Sequence, residues 1–138
     1  MQQSQLNAGI LGGLIAGVVF GIMMGALGMF PMVGKLIGQE TVTAGFVLHL
    51  IFSVIIGLIF SVIFGKAVVN AGQSAIYGLI YGVAWWILGP LVIMPVWLGM
   101  GVQLSAAGAQ MALPSLWGHL SYGLILGLLY PTLAKPKQ

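Results

Sequence analysis

The chain has 138 residues, of which 60% are hydrophobic and 4% charged. A water-soluble domain carries about 25% charged residues, so a surface this apolar belongs in hydrocarbon. The net charge of +3, set by four lysines and one glutamate, leaves no clustered basic face for nucleic acid, and the lack of cysteine excludes disulfides, thiolate metal sites and Cys nucleophiles.

Taken in chain order, the opening stretch Met1-Gln2-Gln3-Ser4-Gln5 has no basic n-region. The apolar run after it exceeds a signal peptide's core of about 7–15 residues, so it reads as a retained first span. A spanning helix needs roughly 20 apolar residues. Four segments qualify, at about 8–30, 43–65, 73–94 and 115–134. Pro31, Gly34, Gly38 and Glu40 interrupt the first pair. Thr41 or Thr43 is expected to cap the second segment, with Glu40 at its positive end. Lys66 and Asn70-Ala71-Gly72 separate the two pairs. Pro95 is expected to end the third segment and Pro114 to start the fourth. The uncharged connection between these prolines is expected to lie in the outer interface as a short helix or to fold back into the bundle. Residues 32–39 look like its shorter partner. Trp97 and Trp117 suit an interfacial belt, whereas Trp85 and Trp86 fall near mid-span.

The two halves repeat each other. Asn7-Ala8-Gly9 and Asn70-Ala71-Gly72 open long apolar runs. Gln39 follows Pro31 at the spacing at which Gln103 follows Pro95. His49 precedes Gly57 as His119 precedes Gly127, and Phe60 and Tyr130 follow at the same interval. The expected fold is therefore all-α, a single transmembrane domain over 1–138. It is an integral membrane four-helix bundle made of two hairpins, repeat one about 7–66 and repeat two about 70–134. An even number of spans per repeat makes the repeats parallel, with a pseudo-two-fold axis along the membrane normal. Lys66, Lys135 and Lys137 against Lys35 place both termini in the cytoplasm by the positive-inside rule, with the protein in the inner membrane.

Small residues recur every four positions. The first segment carries Gly9, Gly13, Gly17, Gly21 and Gly25. The second carries Ser53 and Gly57 in line with His49. The third carries Gly78 and Gly82, and the fourth Gly123 and Gly127 in line with His119. In lipid, close backbone approach must supply helix association, and such rows permit it. These glycines read as helix-packing residues. Four short spans are not expected to bury every row, which leaves one, the five-glycine row of the first segment, to dock on a second copy or a larger membrane complex.

His49 and His119 are the ionisable residues within the spans, and such residues are functional candidates by default. Both are expected at one depth, facing packed protein and each other. Several readings stand. The imidazoles bond across helices to a backbone carbonyl, Ser53, Ser121, Gln39 or Gln103. They ligate haem b. They hold copper, with Met23, Met24, Met29, Met32, Met94, Met100 and Met111 clustered toward the outer half. Or they form a proton relay or line a pore. No paired carboxylates and no Ser–His–Asp set can be assembled, so the protein is not expected to be an enzyme.

His49/Gly57/Phe60 and His119/Gly127/Tyr130, with the four-span layout, resemble small uncharacterised inner-membrane proteins of the YagU-like family. That resemblance implies a membrane location and supplies no catalytic residues. The expected function is a non-catalytic subunit or scaffold docking through glycine-lined faces. The alternatives are a haem b or copper module built on His49 and His119, and a small-solute channel or transporter.

Overall fold

A computed structural model describes residues 3–68 and 70–135. Their regular structure is all helical, with no strand among them. Helix α1 spans Gln3–Ala26 and α2 Phe30–Gly34, followed by a 3-10 turn at Lys35–Ile37. Helix α3 spans Val42–Phe64 and α4 Ala71–Leu88. A π-helical turn at Gly89–Ile93 carries the chain into α5 at Met94–Trp97, and α6 covers Ala106–Leu133. Four helices are long and apolar enough to cross a bilayer: α1, α3, the continuous stretch Ala71–Trp97, and α6.

Local chemistry explains most of the boundaries. Helix α1 stops at Gly28, whose φ of 66° is left-handed. The Met29 N–H then returns to the Met24 carbonyl at 2.9 Å, a bond that satisfies one of the last orphan carbonyls. The hydroxyl of Thr41 accepts the Ala44 N–H at 3.1 Å and caps α3. Asn70 does the same for α4 through the Gln73 N–H, at 2.9 Å. Glu40 directly precedes the Thr41 cap, at the N-terminal end of α3. It pairs with Lys35 at 2.9 Å on the surface. Met1 and Gln2 of the opening stretch and Lys137 of the orientation reading lie outside the described residues.

Two expected boundaries are corrected. Pro95 does not end the third span: it lies in α5, just past the π turn, and the span runs on to Trp97. Proline has no N–H to give to the carbonyl four residues back, which here is Leu91. The Gln103 N–H takes that place at 2.7 Å. The segment after Trp97 is thereby folded back onto the helix end. Pro114 does not start the fourth span either. Ser105 caps α6 through the Gly108 N–H at 3.1 Å, so Pro114 falls inside the helix.

Helix α1 packs on both α3 and α6, and α4 packs on α6. Helices α3 and α4 meet through aromatic rings. Phe64 stacks on Tyr77 at 5.1 Å, and Phe60 meets Tyr81 edge-on at 5.3 Å. The Tyr81 hydroxyl donates to the Ile56 carbonyl at 2.6 Å. One seam of the bundle is thus closed by small residues and another by rings.

Candidate functional site: the two imidazoles and the seams that hold them

The small-residue rows decide where the helices touch. Gly9, Gly13, Gly17 and Gly21 are buried and face α3. A Cβ at Gly9 would run into the Gly57 carbonyl, and one at Gly57 into the Gly9 carbonyl. A Cβ at Gly17 would strike the Ser53 side chain. The α4/α6 seam is built alike: Gly78 and Gly123 each abut the other's carbonyl, Gly82 abuts the His119 carbonyl, and Gly127 abuts the Ser74 carbonyl. Backbones this close gain dispersion and Cα–H···O contacts that no side chain would allow.

The expectation that the α1 row is left free for docking is overturned. Four of its five glycines are consumed against α3, and only Gly25 is exposed. A second row on α1, Ala8, Gly12 and Ala16, is also buried. A Cβ at Gly12 would meet Leu126 of α6 at 2.9 Å. This row lies one residue from the first, so α1 carries two adjacent small faces and is clasped from both sides. The four-residue spacing of alanine and glycine together was the signal for it. Glycine alone was not.

Above these seams sit the imidazoles. His49 is buried, and its Nε2 lies 2.8 Å from the Gly17 carbonyl of α1. A carbonyl only accepts, so Nε2 carries the hydrogen and donates. His119 donates from Nδ1 to the Ser115 carbonyl of its own helix, also at 2.8 Å. Of the partners expected, both imidazoles take backbone carbonyls. Ser53 bonds instead to the His49 carbonyl at 2.7 Å, and Gln103 donates to its own loop, to the Met100 carbonyl at 3.2 Å.

The ring of Phe20 joins the pair. It meets His49 at 5.1 Å, edge-on at 88°, and His119 at 4.8 Å and 64°. Gly118 makes room for it, since a Cβ there would strike the Phe20 ring. Both imidazoles thus touch one ring, and His119 sits much deeper along its helix than a start at residue 115 implied. Phe20 carried no signature in the sequence beyond an apolar position. His119 Nε2 also faces the π turn, 3.8 Å from where a Cβ on Gly89 would stand.

The methionines expected to support copper divide: Met24 belongs to the buried core, and Met29 and Met94 pack against that core. Met32, Met100 and Met111 are 61, 63 and 82% exposed. Among the described residues, no three His, Cys, Asp or Glu side chains come together. No protein family, characterised protein or solved structure matches this chain.

Proposed function

We propose that this protein is a non-catalytic, membrane-integral subunit that acts through its lateral faces, docking on a second copy or on a larger membrane complex. One observation carries this reading. Both imidazoles and the Tyr81 and Tyr122 hydroxyls are committed to the protein's own backbone, while the outward faces of α1 and α3 are hydrocarbon. His49, Tyr81 and Tyr122 all donate to carbonyls of neighbouring helices. Outside, α1 presents Leu11, Leu14, Ile15, Val18 and Ile22, and α3 presents Val47, Ile51 and Ile55. An open cleft of about 320 Å³ between these two helices, lined by Leu14, Leu50, Ile51, Val54 and Ile55, gives that face relief.

The same reading takes α1 with α3, and α4 with α6, as two parallel hairpin repeats. Like glycine contacts in the two seams support it. It places the protein in the inner membrane with both termini in the cytoplasm, supported by Lys66 and Lys135 at one end of the bundle and the neutralised Lys35 at the other. The YagU-like resemblance points to the same location. Native mass spectrometry from mild detergent tests the function. Stoichiometric larger subunits or a defined homo-oligomer are expected. A bare monomer, recovered under conditions that preserve other complexes, would overturn it.

A second reading has one observation in its favour. Metal-ligating histidines fix one ring nitrogen by donating to a carbonyl and leave the other for the metal. Both imidazoles here have a ring N–H so fixed, and both lie on Phe20. A single soft cation fits this better than haem b, whose macrocycle would have to displace the Phe20 ring. Metal analysis of wild type and His119→Ala decides for a cation, and a Soret band would restore haem.

A further inference from the structure

We draw no further inference here: the strongest candidate, the apolar cleft between α1 and α3, already belongs to the lateral face proposed above, and nothing in the structure shows which partner covers it.

Discussion

The Tyr122 hydroxyl of α6 donates to the Ser53 carbonyl of α3. It does so across α1, at the level of Gly13. A Cβ on Gly13 would stand 3.1 Å from that hydroxyl and 2.6 Å from the Ser53 oxygen. Three helices therefore meet at one hydrogen bond, admitted by one missing side chain. Tyr122→Phe keeps the ring and removes the bond. It is expected to lower stability by about 0.5–1.5 kcal/mol, since interhelical bonds in membranes average about 0.6. Denaturation in mixed detergent micelles, compared with wild type, measures it.

The glycine seams give a sharper contrast. At Gly57 a methyl meets the Gly9 carbonyl and the Gly13 Cα, and backbone cannot step aside. Gly57→Ala should cost about 1–3 kcal/mol, the range for overpacked cores. At Gly25 a methyl would meet only the edge of Phe30 at 3.4 Å. Gly25→Ala should be neutral, or stabilising by up to about 1 kcal/mol from helix propensity. The same denaturation assay on both variants separates packing from propensity.

Phe20 is the shared neighbour of both imidazoles. Phe20→Ala leaves a void against His49, His119 and Gly118, and an aromatic-to-alanine change in a core costs about 3–5 kcal/mol. Phe20→Leu refills part of the space and should recover much of the loss. The test includes hydrogen exchange at the α1/α6 seam. Protection should fall there before it falls at the ring-filled α3/α4 seam. Equal loss at both seams would show that Phe20 is not a local wedge.

The Lys35–Glu40 pair is expected to do little. The carboxylate holds the ammonium above its ordinary value of 10.5, first by hydrogen bond and then by charge. A raised lysine contributes below its ordinary value and loses that contribution as pH climbs through the raised one. No change is therefore expected across the neutral range. Because the pair is exposed and screened, Glu40→Gln should leave the melting temperature unchanged at pH 7 in detergent.

The four spans were legible because apolar length is a coarse signal that needs no neighbour. The cap at Thr41 was legible, since it is a local bond between close residues, whereas Asn70 was read only as a break between the halves and turned out to cap α4. The pairing of small rows was half legible. Gly9 to Gly21 announced a close approach, but whether that approach would be internal or external depends on whether Ser53 and Gly57 arrive opposite, which no local pattern states. The prolines misled for a related reason. Pro95 and Pro114 were read by their usual positions at helix ends. Gln103 and Ser105, two polar residues inside the connection, decided otherwise. Phe20 and Tyr122 were invisible as site residues, because an aromatic in an apolar run looks the same whether it faces lipid or bridges helices.

The Gln103 amide on the Leu91 carbonyl has one further consequence. A residue that weakens its own helix has become the latch for a loop. Replacing Pro95 with alanine would return a donor to the helix and evict the amide, so a mutation that repairs the ladder should release the connection over residues 98–105. The span would stiffen while its outer rim loosened, and limited proteolysis of that rim would report the trade.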